Sequence, residues 1–228
     1  MWFDAGAEIV VAPGRSAGAD RLHFPESARC YIRIAPARRG SGRLRGVRDG
    51  RHEIMPLGDI MGMSWGRTRG GVIVYETDET RDGRSAVTNA TQWFQSNGEI
   101  WGFDGRITCG IDQAHAGLAV DYVIQCWRRF LLRHARTFEA YGARGPFAVE
   151  AGVTGFEDLF WPRGRYAGSF EPAIEDSILT QRQMPSLDPT RIEAFVGEAA
   201  DDVRHAYGRG PFTEQELAHV LSDHRAQA

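Results

Sequence analysis

The residues in this chain with most chemistry to offer are its arginines. Between positions 38 and 51 the sequence places Arg38, Arg39, Arg43, Arg45, Arg48 and Arg51, six guanidinium groups in 14 residues, interspersed with Gly40, Gly42, Gly46 and Gly50. A guanidinium is a planar fork that meets phosphate through two hydrogen bonds and stacks on bases, and glycine spacing denies the loop a fixed shape. A second set, Arg129, Arg133 and Arg136, recurs at i, i+4 and i+7, so a helix there carries all three on one side. These residues are the candidate phosphate-binding set, with nucleic acid as the partner that fits their chemistry. The plainer account is a solvated loop and a solvated helix face balanced by the acidic carboxyl-terminal part. An arginine-only composition also follows from a GC-rich genome.

Other chemistries have thinner support. Two G-x-S-x-G matches occur, around Ser16 and around Ser64. A serine nucleophile of that type needs a sharp turn between a strand and a helix. No periodic helix follows either match, so loop glycines explain both, and a serine hydrolase using Ser16 or Ser64 stands only as an alternative. Asp104, Asp112 and His115 are close in sequence and chemically able to bind metal, yet helix capping by Asp112 and an exposed His115 account for them more simply. No metal or cofactor is expected. Cys30, Cys109 and Cys126 lie far apart without a CxxC pair and read as apolar thiols. Lysine is absent, since all 27 basic residues are arginine, which removes the P-loop lysine and Schiff-base chemistry.

The elements that position these groups follow from periodicity. Turning 100° per residue from Val120 to Tyr141 gathers Val123, Ile124, Trp127, Phe130, Leu131, His134 and Phe138 on one side, which predicts a long helix with Gly142 as its left-handed stop. His134 on that side reads as a hydrogen-bonded core residue. Cys30, Ile32 and Ile34 alternate with Tyr31 and Arg33 in a strand, and further strands are expected at 8–12, 71–77 and 147–151. Asn97-Gly98 predicts a two-residue hairpin turn within 87–107, setting Phe94 opposite Trp101 and Gln92 opposite Phe103. Residues 56–71 show no clean period and read as turns. Asp188-Pro189 and the capping box Thr213 to Glu216 open two carboxyl-terminal helices. The fold expected is α+β: a mostly antiparallel sheet with a central aromatic hairpin, packed by one long helix. Residues 1–187 form its core and residues 188–228 a helical appendage packed on it.

Charge is unevenly shared. Residues 1–70 carry 12 Arg against 7 Asp and Glu, whereas residues 71–228 carry 15 against 23. Such asymmetry suits an anionic partner for the front of the chain, an acidic protein, or another copy of the chain. The start at Met1-Trp2-Phe3-Asp4 lacks a basic, long-apolar leader, and no run is long enough to cross a bilayer, so a cytoplasmic protein with no membrane partner is expected.

Three segments carry a family resemblance: Tyr31-Ile32-Arg33-Ile34-Ala35-Pro36, Asn97-Gly98-Glu99-Ile100-Trp101-Gly102, and, after the helix, Phe147-Ala148-Val149-Glu150-Ala151-Gly152. They resemble the region that follows the Schlafen-like AlbA domain in bacterial proteins, over roughly residues 28–207. The resemblance implies an accessory or sensing region in a nucleic-acid-linked process such as regulation or defence. The AlbA domain is not evident, so no family site residue carries over.

Overall fold

The computed structural model describes residues 7–13, 20–40, 47–48, 51–52, 54–58, 62–79, 85–111, 115–162 and 172–222. Along the chain the strands before the long helix are β1 (Glu8–Pro13), β2 (Asp20–His23), β3 (Arg29–Arg38), β4 (Val47–Arg48), β5 (Arg51–His52), β6 (Ser64–Thr68), β7 (Gly71–Glu79), β8 (Ser85–Phe94), β9 (Ile100–Asp104), β10 (Thr108–Gly110) and β11 (Ala116–Leu118). The long helix α1 (Val120–Ala140) follows, then β12 (Arg144–Thr154), β13 (Ser177–Met184), α2 (Pro189–His205) and α3 (Glu214–Leu221). The class is α+β, rich in strands, with one long helix.

The main sheet runs β13-β12-β3-β9-β8-β2-β1-β6-β7, and β8 also pairs with β7. That extra pairing closes β8, β2, β1, β6 and β7 into a five-stranded barrel. β8 serves both halves: β7 lies along one edge from Ser85 to Phe94, while the other edge meets β2 at Ala86 and β9 from Asn89 to Trp93. Closure was not expected from the sequence, because two of its strands, β2 and β6, fall in stretches without a clear period.

Two cores result. Val11, Leu22, Ile73, Tyr75 and Val87 fill the barrel together with Phe24 and Phe103, whose rings meet edge-on at 5.1 Å. The second core lies between the open part of the sheet and the helices. α1 buries Val120, Val123, Ile124, Trp127, Phe130, Leu131, His134 and Phe138, the face its periodicity predicts, and adds Cys126. It sits close because Gly102 leaves room for Phe130: a Cβ there would come within 2.6 Å of the ring. The buried Trp127 indole N–H donates to the Tyr31 carbonyl at 3.0 Å, pinning helix to strand. Ile192, Phe195, Val196, Ala199 and Val203 of α2 join this same core.

The hairpin departs from the expected register. Trp93 pairs with Ile100, Gln92 with Trp101 and Ala90 with Phe103, two residues away from the predicted alignment. The turn is longer: Phe94 N–H donates to Glu99 O and Gly98 N–H to Phe94 O, both at 2.8 Å, while Asn97 Oδ1 accepts from Glu99 N–H at 3.1 Å. A shift of two keeps every side chain on its predicted face. The helix start also differs. Ala119 is the residue before α1 and makes no side-chain cap, and Asp112 lies outside the described residues.

Candidate phosphate-binding surface

The arginine segment leaves the sheet at the end of β3. Arg38 and Arg39 are exposed there, and Arg39 Nη1 donates to the carbonyls of Gln95 at 2.6 Å and Ser96 at 3.1 Å, which ties it to the hairpin turn. Gly40 then touches the end of α1 so closely that a Cβ would stand 1.9 Å from the Tyr141 carbonyl oxygen. Arg43 and Arg45 lie outside the described residues; Arg48 and Arg51 are described as backbone only, paired with each other across β4 and β5.

The segment is fastened again at Met55, whose N–H donates to His134 Nε2 at 3.3 Å, while His134 Nδ1 meets the Phe130 carbonyl at 2.9 Å. These partners assign the proton to Nδ1, and burial pushes the imidazole pKa down to about 4. The chain thus departs at Tyr141 and returns at His134, anchors separated by about 10 Å along the helix axis. That half of α1 carries Arg133 and Arg136, both exposed. Arg129, one turn earlier, donates from Nε to the Gln125 carbonyl of its own helix at 3.3 Å.

Elsewhere carboxylates occupy the guanidinium groups. Arg128 pairs with Glu193 at 2.9 Å, Arg182 with Glu198 at 2.7 Å, Arg191 with Asp188 at 2.9 Å and Arg204 with Glu216 at 3.1 Å. Arg33 stands between Glu99 and Glu150, 2.6 Å from each, which raises its own pKa and lowers that of Glu99. Arg38, Arg133 and Arg136 have no such partner among the described residues.

The remaining candidates are placed differently. Ser64 opens β6 on the surface opposite Tyr75, and β6 runs through Arg69-Gly70 into β7 rather than a helix, so the strand-to-helix turn of a serine nucleophile is missing there. Ser16 lies outside the described residues. His115 is half-buried against Phe160, ring centroids 5.0 Å apart, not exposed as expected. Asp104 is buried and accepts hydrogen bonds from Tyr122 Oη at 2.6 Å and Arg106 N at 2.8 Å. Burial still raises its pKa above the ordinary carboxylate value, against the pull of those donors. Beside it on the same face, the fully buried Asn89 amide and Thr91 hydroxyl have no hydrogen-bond partner among the described residues. Among the described residues no three His, Cys, Asp or Glu side chains are grouped to hold a metal.

Two features escaped the sequence. The Arg33 triad joins β3, β12 and the turn leading into β9, segments far apart in the chain. Arg144, exposed at the start of β12, lies directly opposite Arg38 through a strand register that no local pattern encodes. Compared with protein families, with characterised proteins and with solved structures, the chain matches none.

Proposed function

We propose that this chain is a non-enzymatic accessory or sensing module in a nucleic-acid-linked process, of the kind found beside Schlafen-like AlbA domains, and that it contacts phosphate through its arginine surface. One observation carries the reading: the acidic carboxyl-terminal part neutralises Arg128, Arg182, Arg191 and Arg204, whereas Arg38, Arg133 and Arg136 have no carboxylate partner among the described residues. The sheet and its aromatic hairpin act as a rigid support, holding the end of β3 against the arginine-bearing half of α1. Phosphate contact of this kind supplies affinity and orientation without reading sequence.

The test is a fluorescence-anisotropy titration of short single-stranded and duplex oligonucleotides. Wild type should bind, and R133Q with R136Q should weaken all sequences to a similar degree. No binding by wild type, or equal binding by the variant, would refute the role of these arginines.

A second reading, contact with a protein or another copy of the chain, draws on Leu179 on the outermost strand β13 and Ile174 just before it, 50% and 75% exposed. Light scattering across a concentration series, with L179D as comparison, tests it: self-association should appear in wild type and vanish in the variant. No helix among the described residues is long and apolar enough to cross a membrane.

A further inference from the structure

β12 pairs with β3 so that Phe147 faces Pro36, and continuing that register would set Arg144 opposite Arg39. The ladder slips by one residue between Arg144 and Phe147, and Arg144 faces Arg38 instead. Such an irregularity re-aims side chains at the end of a strand. Both arginines are exposed, and neither has an ion-pair partner among the described residues. Directly opposed residues on neighbouring antiparallel strands have Cβ atoms about 5 Å apart, and like charges in that placement are disfavoured.

Nearby backbone acceptors that could engage this pair already have donors. Helix-terminal carbonyls attract arginine side chains, but two of those at the end of α1 are met by backbone: Gly142, at φ +72°, donates its N–H to Glu139 O and Ala143 donates to Phe138 O, each at 3.0 Å. The hairpin carbonyls are taken by Arg39. The two strands are also held rigidly, because Gly40 is wedged against Tyr141 and Ala143, the residues leading to Arg144. The backbone pairing holds the two arginines side by side, and an oxyanion between their guanidinium groups turns repulsion into attraction and accepts hydrogen bonds from both.

We propose that Arg38 and Arg144 form a clamp for one phosphate group, as a phosphodiester of nucleic acid or as a free phosphate compound. The shallow cleft alongside, lined by Pro36, Trp93, Phe138 and Tyr141, has only water-sized enclosed room. Neither Arg38 nor Arg144 lines that cleft, and the contact assigned to the clamp is with phosphate rather than with a base. This deepens the reading above and rests on it where the phosphate belongs to nucleic acid.

Two assays with wild type, R38Q, R144Q and the double variant test the clamp. In thermal melting, inorganic phosphate should raise the wild-type midpoint above that in chloride at matched ionic strength, and either single substitution should abolish the difference. In oligonucleotide binding, each single variant should lose about tenfold in affinity, and the double variant little more, because a clamp fails when either arm is gone. Phosphate-specific stabilisation that persists in R144Q, or losses that simply add, would overturn the proposal. Weakening by R133Q and R136Q but not by R38Q or R144Q would overturn the clamp and spare the nucleic-acid reading. Phosphate binding without oligonucleotide binding would do the reverse.

Discussion

His134 shows how one side chain can tie a loop to a helix and set a pH limit on stability. Its folded pKa of about 4 lies below its ordinary 6.5, because a charged imidazole has no water in the core. As pH falls below 6.5 the unfolded chain takes up the proton first. The histidine's contribution is therefore complete above that pH and is lost between 6.5 and 4, by up to about 3 kcal/mol. Urea unfolding of wild type and H134Q should show a stability gap that narrows as pH drops through this window; a gap independent of pH would contradict the account. Thr91 makes the opposite case, since its buried hydroxyl has no partner among the described residues. T91V should leave stability unchanged or raise it by about 1 kcal/mol. A loss above that size would show that the hydroxyl holds a buried water. At this scale the sequence was informative where periodicity alone decides, as for His134 on the buried face of α1. It was silent on Arg144, whose partner depends on a slip between strands more than a hundred residues apart.

Elements with a strong internal period were legible. α1 buries its predicted face, and α2 opens on Asp188, whose side chain accepts from Arg191 N–H at 3.1 Å, as its cap and proline imply. The hairpin shows where local preference yields to tertiary contact. Asn97-Gly98 alone favours a two-residue turn, but Arg39 binds the Gln95 and Ser96 carbonyls, and Glu99 is held by Arg33 and by the Trp101 indole N–H at 3.0 Å. Those contacts suit a longer turn and fix the strands two residues out of the simplest register. Helix-to-sheet attachment is concentrated at Trp127, which is fully buried and bonded to Tyr31 O. W127F removes that bond and leaves a cavity, so it should cost about 2 to 4 kcal/mol while keeping the far-UV dichroism of α1. A loss well under 1 kcal/mol would mean that shape alone, without the indole bond, holds the helix.

For the whole molecule, the sequence conveyed class and charge layout better than topology. The barrel was illegible because its closure depends on β8 meeting β7 on one edge and β2 on the other, with a single parallel pair, His23 and Ala86, completing the ring. Short strands such as β2 give no period long enough to read. The charge asymmetry was legible as a number, and the fold gives it a layout: much of the acidic carboxyl-terminal part is spent on neighbouring arginines, while Arg38, Arg133 and Arg136 stand apart from it. The most direct test is the salt dependence of oligonucleotide affinity. The account predicts that log K falls linearly with log salt, with a slope of about −0.7 per phosphate contacted on a single strand, shallower by about one contact for each of R38Q, R133Q and R136Q. Affinity that ignores salt, or a slope unchanged by those substitutions, would contradict it.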